Sequence, residues 1–454
     1  MAVYMNPEER KQVLLTIVRE SLEALRPELA VRRNLTYDPD INRLIVAGET
    51  AELEENEKVW IIGAGKAAVS MAAEAGDILG DRLAEGMVIA PDKPASKLKR
   101  IQVLKGSHPI PDKESLSSTY ELLQFTKSIP DNAPVLCLIS GGASALLAMP
   151  VDQIEIGELG SLHQLLLESG MDIHEMNTVR KVVSKVKAGG LLRFLEQTRL
   201  YDLVISDVPG DKLGSIGSGP TTYEEKKYEN AFQLLKRFDL WNRVPHSVRT
   251  VIARGMYEPT EQSEPEPVYH ASVIISSAGK LAEHIAENLN DRDIEAEVIH
   301  PAYNDSIENV AKMIVEKLQS HREIQHSTNG NSHRESKSMG YRALVFYGES
   351  SVNVTGDGKG GRNQELALRV AMQINEDTHV TFASIGTDGV DGPTDAAGAI
   401  VDETTISNAN EQQLDPETFL KQNDSYTFFD KAGGHIKTGP TGNNLMDLQV
   451  LLVG

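Results

Sequence analysis

The hydrophobic positions of this chain alternate between two periods, and this alternation predicts its fold. Short apolar runs at residues 58–62, 86–91, 133–140 and 201–206 are typical of buried strands. Apolar residues at helical spacing lie between them, including a basic amphipathic helix expected over residues 177–188. Strands that alternate with helices indicate parallel βαβ units and a sheet covered on both faces.

The second half of the chain repeats this alternation after an interruption. Residues 255–268 contain three prolines and several acids, which is typical of an exposed linker. We therefore expect an α/β protein with one domain over residues 1–254 and another over residues 269–454. The last residues are left open to pack on either domain. A polar stretch at residues 320–341 is expected to be a mobile surface insertion.

The charge of the chain argues against two classes of partner. Its 454 residues carry a net charge of −21, from 45 Lys and Arg against 66 Asp and Glu. Such an acidic chain repels nucleic acids and anionic membranes, so we expect neither as a partner. Any local cluster of basic residues is informative against this background.

The cysteine content and the hydropathy of the sequence indicate the cellular compartment in which the protein is found. The only cysteine, Cys137, lies in an apolar run, which predicts a buried thiol and excludes a disulfide framework. The N-terminus is charged and lacks the apolar segment of a signal peptide. No apolar run approaches the ~20 residues of a membrane span. A cytoplasmic location is expected.

Two glycine-rich loops, GAGKA and GDGKGGRNQE, each lie between a predicted strand and a predicted helix. Glycines let backbone N–H groups approach a ligand closely, and a helix start favours negative charge, so both loops are candidate anion sites. The candidate residues are Gly63, Gly65, Gly358, Gly360, Gly361 and Asn363. Both loops also match the G-x-G-x-x-G/A fingerprint, and Asp92 ends the strand after the first, so a dinucleotide site stays open.

Cations in these loops favour phosphoryl transfer over dinucleotide binding. Lys66 lies in the first loop, and Lys359 and Arg362 lie in the second. A pyrophosphate turn needs only backbone donors, whereas full positive charges suit a phosphoryl group in transfer. Neither loop fits the Walker pattern. The alternatives are a solvated lysine at a helix start for Lys66 and a structural ion pair with Glu365 for Arg362.

Two further loops follow predicted buried strands, where ligands bind in open parallel sheets. Their small and hydroxyl residues are candidates for binding phosphate or carboxylate: Ser140, Gly141, Gly142, Ser144, Gly217, Ser218 and Gly219. Asp207 ends the strand before the second of these loops. Ser144 partly fits a nucleophile elbow, but no His–Asp pair is placed to serve it. An anion-binding role therefore explains this loop better.

Three carboxylates crowd the loop GTDGVDGPTDAAG, which directly follows a predicted strand. Asp388, Asp391 and Asp395 together make a candidate Mg²⁺ site, because hard cations prefer oxygen ligands. The alternative for each carboxylate taken singly is a polar turn with local side-chain caps.

Taken together, these motifs resemble those of glycerate 2-kinases of the MOFRL type. The matching stretches are GAGKA (63–67), SHPIPD (107–112), LISGGASALL (138–147), NTVRK (177–181), ISDVPGD (205–211), IGSGPT (216–221), GKGGRNQE (358–365), GTDGVDGPTDAAG (386–398) and KTGPTGNN (437–444). The resemblance covers most of the chain. It implies a large Rossmann-like N-terminal domain with a parallel sheet, a smaller C-terminal α/β (MOFRL) domain, and an active-site cleft between them.

The resemblance also implies an activity: phosphorylation of D-glycerate by ATP and Mg²⁺, giving 2-phosphoglycerate. Lys66 and Arg362 match the family's catalytic cations, and Asp207 and Asp388 match carboxylates that line its cleft. Asp207 is the candidate that orients or deprotonates the glycerate hydroxyl. An NAD(P)-dependent hydroxypyruvate reductase and a non-catalytic small-molecule binding protein remain the alternatives. The partners expected are glycerate and a nucleotide, and the assembly is left open between a monomer and a homodimer.

Overall fold

The computed structural model describes residues 5–94, 97–258, 263–328, 340–376 and 378–454. Backbone contacts divide the chain into two compact units. The large unit is Pro27–Ser276, and the small unit combines Met1–Arg26 with Ser277–Gly454. The first element, helix α1 (Pro7–Ala24), therefore belongs to the small unit.

The large unit contains α-helices, β-strands and three short 3₁₀ segments. Its helices are α2 (Pro27–Asn34), α3 (Ala68–Leu79), α4 (Lys113–Thr126), α5 (Ala143–Leu146), α6 (Ile156–Leu167), α7 (Ile173–Val182), α8 (Tyr228–Arg237) and α9 (His246–Tyr257). Its strands are β1 (Leu35–Asp38), β2 (Arg43–Val46), β3 (Glu49–Glu52), β4 (Val59–Ala64), β5 (Leu83–Ala90), β6 (Ile101–Lys105), β7 (Pro134–Ile139), β8 (Arg199–Ile205) and β9 (Tyr269–Ser276). The 3₁₀ segments are Gly80–Arg82, Gly190–Phe194 and Ile216–Ser218.

A six-stranded parallel sheet forms the core of the large unit. Its strand order is β6-β5-β4-β7-β8-β9, and each neighbouring pair is parallel. The central strands are buried along almost their whole length, as expected for a parallel sheet covered on both faces. Cys137 lies within β7 as a buried free thiol, so that prediction is confirmed. A separate antiparallel meander, β1-β2-β3, was not expected from the sequence.

The division into units differs from the predicted one in two places. Residues 269–276 form β9, which pairs in parallel with β8 and therefore belongs to the large unit. Helix α1 belongs to the small unit, where Arg10 Nε donates to Thr381 Oγ1 at 3.0 Å and Arg10 pairs with Glu403. Hydrophobic periodicity identifies a helix or a strand, but it does not identify the sheet on which that element packs.

The basic helix predicted over residues 177–188 is shorter in the structure, because α7 ends at Val182. Beyond this point, Lys185 N donates to Met149 O at 2.8 Å instead of continuing the helix. Val186 is fully buried in the core of the large unit. Tertiary packing therefore overrides a local helical pattern here.

The small unit has a mixed sheet with helices around it. Its remaining helices are α10 (Ala278–Asn290), α11 (Ile307–Thr328), α12 (Arg362–Ala371), α13 (Thr405–Glu411), α14 (Pro416–Lys421) and α15 (Ser425–Ala432). Its strands are β10 (Glu295–Val298), β11 (Tyr303–Ser306), β12 (Arg342–Ser351), β13 (Val380–Gly386), β14 (Gly398–Asp402), β15 (His435–Ile436) and β16 (Asp447–Val453).

The second sheet does not simply repeat the first. Strand order is β10-β12-β16-β13-β14-β15, with β11 also paired to β12. The last strand, β16, lies antiparallel between β12 and β13, which settles the open question of where the chain end packs. The α/β class predicted for this half is confirmed, but the sheet is mixed because β13, β14 and β16 pair antiparallel.

Two predicted surface segments fall partly outside the described residues. The polar stretch at 320–341 begins inside α11, and residues 329–339 are not described. Residues 259–262 of the predicted linker are also outside the described part. None of the helices that the structure describes has both the length and the apolar character needed to cross a bilayer.

Candidate functional site

Three loops of the large unit meet at the carboxyl edge of its parallel sheet. They follow the neighbouring strands β4, β7 and β8. Lys66 N donates to Gly141 O at 2.9 Å, which ties the first loop to the second. Ala67 N donates to Ser140 Oγ at 3.0 Å and strengthens this link. A Cβ at Gly141 would overlap the Asp207 carboxylate, so the third loop lies against the second. The structure thus brings together loops that the sequence had singled out separately.

Gly63 and Gly65 are required for close packing of these loops. A Cβ on Gly63 would overlap Leu138 O, and one on Gly65, whose φ is +142°, would overlap Ser140 Oγ. Gly65 N donates to Ile89 O at 3.1 Å, and the next two amides also donate within the protein. The loop therefore lacks the row of free backbone donors that a dinucleotide-binding turn presents to a pyrophosphate.

A pocket of about 160 Å³, which we call the edge pocket, opens at this end of the sheet. All its lining residues belong to the large unit, and its polar lining includes His108, Ser144, Asn177, Arg180, Asp207 and Ser215. Gly142 and Gly217, also expected from the sequence, border it. A pocket of this size is large enough for one small metabolite. Drug-sized ligands need about 300–1,000 Å³, so it does not suit a whole nucleotide.

Hydroxyl groups on one side of the edge pocket hold each other in a chain. Ser218 Oγ donates to Asn177 Oδ1 at 2.8 Å, and it therefore accepts from Ser144 Oγ, also at 2.8 Å. Asn177 Nδ2 donates to Ser215 O at 3.0 Å. Gly217 adopts the left-handed conformation, with φ of +59°, that this tight turn requires. In this row of hydrogen bonds Ser144 acts as a donor, so the lone pairs of its hydroxyl oxygen are available to a ligand.

Lys66 and His108 border the same region. A Cβ added to Gly142 would lie 2.9 Å from His108 Cδ2 and 3.3 Å from Lys66 Cγ. Desolvation of the ring and the nearby Lys66 ammonium lower the pKa of His108 to about 4, so His108 is neutral at pH 7. The exposed Lys66 forms no ion pair with any residue that the structure describes. It is therefore a cation available to an anionic ligand.

Basic residues in and behind the edge pocket were not predicted from the sequence. Arg180 and Lys187 are both buried, and Lys187 Nζ donates to Ser144 O at 2.6 Å and Leu147 O at 3.3 Å. Desolvation, and then the Arg180 charge, lower the pKa of Lys187 to about 7. His163 is buried, and neither ring nitrogen has a hydrogen-bond partner among the residues that the structure describes. Desolvation strongly lowers its pKa, so the ring is neutral. The available signal was NTVRK, a basic motif in an acidic chain.

In the small unit, the glycine loop at residues 356–361 packs against the segment after α14. The amides of Gly358 and Lys359 donate to Gln422 O and Asp424 Oδ1, at 2.8 and 2.9 Å. A Cβ on Gly358 would overlap both of those acceptor residues. Gly358 therefore allows this loop to pack closely against other residues of the protein.

Helix α12, which follows this glycine loop, has a capped N-terminus. Asp391 Oδ1 accepts from Asn363 N at 3.0 Å, and Oδ2 accepts from Gln364 N at 2.9 Å. Asp391 is 2% exposed, and its burial raises the pKa of the carboxyl despite these bonds. The expected anion position at the helix start is thus occupied by a carboxylate of the protein. The geometry supports a structural role for Asp391 and for the equally buried Asn363.

Arg362, the first residue of α12, is held by two carboxylates. Nη1 donates to Glu349 Oε1 at 2.7 Å, and Nε lies 2.7 Å from Asp447 Oδ2. Burial lowers the pKa of Arg362, but these two carboxylates outweigh that effect and raise it. Burial raises the pKa of Asp447 to about 6, against the opposing effect of Arg362. Glu365, the ion-pair partner considered from the sequence, pairs instead with Arg369. Among the described residues, Arg362 Nη2 has no partner.

The three carboxylates of the predicted metal site have separate partners. Asp395 accepts from Tyr426 Oη at 2.6 Å and Lys437 Nζ at 2.9 Å, which lower its pKa to about 2. Asp388 Oδ1 accepts an amide of its own turn at 3.0 Å, and Asp391 caps α12. The described ranges contain no cluster of three or more His, Cys, Asp or Glu side chains placed to hold a metal ion. Of the three carboxylates, the side chain of Asp388 accepts a single hydrogen bond from the described residues, so it is the one that could still bind a cation.

Two family models match the chain. Residues 13–253 match the model described as a domain of unknown function (DUF4147), and residues 342–447 match the MOFRL family. The chain is 37% identical to a protein named glycerate 2-kinase from Pyrococcus horikoshii, over 98% of this chain and 97% of that protein. It is 32% identical to the protein named D-glycerate 2-kinase from Thermotoga maritima, over 99% of each.

Solved structures resemble this chain over its whole length. A protein from Pyrococcus horikoshii is 35% identical, with a TM-score of 0.81 and 99% of both chains covered. A glycerate kinase from Thermotoga maritima is 31% identical, with a TM-score of 0.82, covering 99% of this chain and 100% of that one.

Proposed function

This chain belongs to the MOFRL-type glycerate kinase family, and we propose that it transfers the γ-phosphoryl group of ATP, with Mg²⁺, to the 2-hydroxyl group of D-glycerate. The reaction class is that of a phosphotransferase acting on an alcohol group. The proposed products are 2-phosphoglycerate and ADP.

The observation that carries this proposal is the edge pocket. Its 160 Å³ suit a three-carbon acid with seven non-hydrogen atoms, and it lies at the carboxyl edge of a parallel sheet. Lys66 stands next to Gly142 at its border as a cation without an ion-pair partner in the described part of the chain. A small polar pocket beside a free cation is the arrangement that phosphorylation of a small alcohol needs.

The positions of the residues at the carboxyl edge of the parallel sheet suggest their roles in the reaction. The reaction joins the glycerate oxygen to the γ-phosphorus and breaks the bond between that phosphorus and the ADP oxygen. Lys66 stabilises the negative charge that develops on the transferring group. Asp207, which lines the edge pocket, orients the hydroxyl group and accepts its proton. Ser144 offers lone pairs to a glycerate hydroxyl.

In the small unit, fewer of the residues predicted from the sequence have a role in the reaction. Arg362 has one nitrogen, Nη2, that can reach an anion while the other two stay paired. Asp388 is the carboxylate we assign to the Mg²⁺ that the nucleotide carries. The ion would neutralise phosphate charge when it is bound. Asp391 is not assigned to the metal, because its oxygens already cap α12.

The reductase alternative is disfavoured by the first glycine loop. A nicotinamide dinucleotide needs free backbone donors for its pyrophosphate, but the amides of Gly65, Lys66 and Ala67 already donate to Ile89, Gly141 and Ser140.

A direct assay separates the candidate functions. The kinase should consume ATP only when both D-glycerate and Mg²⁺ are present, and phosphorus NMR should show the doublet of a phosphate on a CH carbon. A triplet would identify the 3-hydroxyl as acceptor. A reductase would oxidise NADH or NADPH with hydroxypyruvate. A non-catalytic binder would show a glycerate-dependent rise in Tm without turnover.

Lys66→Ala tests the catalytic cation. Because the side chain is exposed, its removal should not affect folding. The value of kcat/KM should fall by a factor of ~10²–10⁵. Lys58→Ala is a matched control, because Lys58 is exposed before the other end of the same strand, β4. Turnover of the Lys66 variant equal to that of the control would remove Lys66 from the mechanism.

A further inference from the structure

Arg180 is a buried arginine with no acidic partner in the part of the chain that the structure describes. It lies in the last turn of α7, is 6% exposed and lines the edge pocket. Among the described residues, Nε finds no hydrogen-bond partner, and the guanidinium makes one polar contact, from Nη2 to Met176 Sδ at 3.8 Å. No carboxylate in the described part of the chain forms an ion pair with it. Buried arginines are normally paired, so this one has unused capacity to bind an anion.

The surroundings of Arg180 include a second basic side chain, the buried Lys187, and no described carboxylate is paired with Arg180. Burial, and then the charge of the Arg180 guanidinium, lower the pKa of Lys187. The two cations are therefore electrostatic neighbours. His163, also affected by both cations, is neutral. Burial lowers the pKa of Arg180 only to about 10, so it remains charged at neutral pH. A desolvated cation of this kind binds an entering anion strongly, because little water has to be displaced.

The shape of the edge pocket limits which anion it accepts. A volume of about 160 Å³ admits a three-carbon acid, but not a nucleotide. A guanidinium binds a carboxylate through two parallel N–H bonds, and Arg180 lines the edge pocket without an ion pair to any described carboxylate. The hydroxyl chain through Ser144 and Ser218 lies in the same region, where it can meet the hydroxyl groups of the acid.

We propose that Arg180 is the anchor for the carboxylate of the substrate and makes the enzyme selective for an acid over an uncharged polyol. This inference rests on the proposed function, because it assigns a role in substrate binding within the same pocket. Its guanidinium binds the two carboxylate oxygens, and Ser144 and Asp207 contact the hydroxyl part of the molecule.

The test compares D-glycerate with its uncharged methyl ester in Arg180→Met and Arg180→Lys. In Arg180→Met, KM for D-glycerate should rise at least 100-fold, while KM for ATP changes less than threefold. The ratio of kcat/KM between acid and ester should fall from above 100 to near 1. Arg180→Lys keeps a charge but loses the fork, and should raise KM for glycerate about tenfold. Arg237→Met, which removes an exposed arginine of α8, is the matched control.

A binding measurement separates this inference from the proposed function. D-glycerate without nucleotide should raise the Tm of the wild-type protein and of Arg237→Met, but not that of Arg180→Met. If no variant or wild type turns over glycerate, the proposed function fails, yet loss of this Tm rise would still identify Arg180 as the carboxylate anchor. A wild-type acid-to-ester ratio in folded Arg180→Met would overturn the inference. If Arg180→Met does not fold, an unchanged KM in Arg180→Lys would overturn it equally.

Discussion

Lys187 makes the unfolding free energy of the large unit depend on pH, and a comparison with a Lys187 variant isolates this contribution. The residue is 2% exposed and donates to two backbone carbonyls near α5, and no carboxylate in the described part of the chain contacts it. Desolvation lowers the pKa of its amine from 10.5 to about 7 in the folded chain. The perturbation is Lys187→Met, which removes the titrating group and keeps a long side chain of similar volume.

The magnitude follows from the two pKa values. Below pH 7 the amine is charged in both the folded and unfolded states, so the full cost of its burial is present. Between pH 7 and 10.5 the unfolded chain binds one proton more than the folded chain, so stability rises with pH. The slope is about 1.4 kcal/mol per pH unit, and the whole window is worth about 5 kcal/mol.

Urea unfolding at pH 7.5, 8.5 and 9.5 measures the effect. Both tryptophans, Trp60 and Trp241, lie in the large unit, so their fluorescence follows the unfolding of this unit. The unfolding free energy of the wild type relative to Lys187→Met should rise by about 3 kcal/mol across these two pH units. Other titrating groups cancel in the difference. A difference that stays constant with pH would refute the reasoning, since it would mean that the buried amine keeps its ordinary pKa.

The remaining predictions concern two carboxylates of the predicted metal site and two glycines at positive φ. Asp391→Asn places an amide against two backbone donors of α12 and should cost about 2–4 kcal/mol, seen as a lower Tm with an unchanged Mg²⁺ requirement. Asp388→Asn should do the reverse, leaving Tm unchanged and raising the Mg²⁺ concentration for half-maximal rate about tenfold; equal effects from the two would contradict the assignment. Gly65→Ala should lose at least about 2 kcal/mol in urea unfolding, because the added methyl meets Ser140. Gly80→Ala, also at positive φ but in open space, should lose less, and equal losses would contradict the packing argument.

The sequence predicted well wherever local pattern and chemistry decide the outcome. The apolar runs that became β4, β7 and β8 were identifiable because strands buried on both faces are continuously hydrophobic. Their neighbouring carboxyl ends bring three loops to one edge, so the meeting of Lys66, Gly141 and Asp207 was foreseeable in outline. The family was recognisable for the same reason, because several of its motifs fill these three loops.

Tertiary structure decided what each polar group does. Asp391 and Asn363 had the composition of a metal and anion site, but the fold buries them as a helix cap and a polar core. Arg180 had no signal beyond its place in a basic motif, and only burial without a partner makes it a candidate anchor. Residue type and spacing determine what a side chain is able to bind. Whether its donors and acceptors are already satisfied depends on neighbours distant in sequence, which only the folded chain brings into contact.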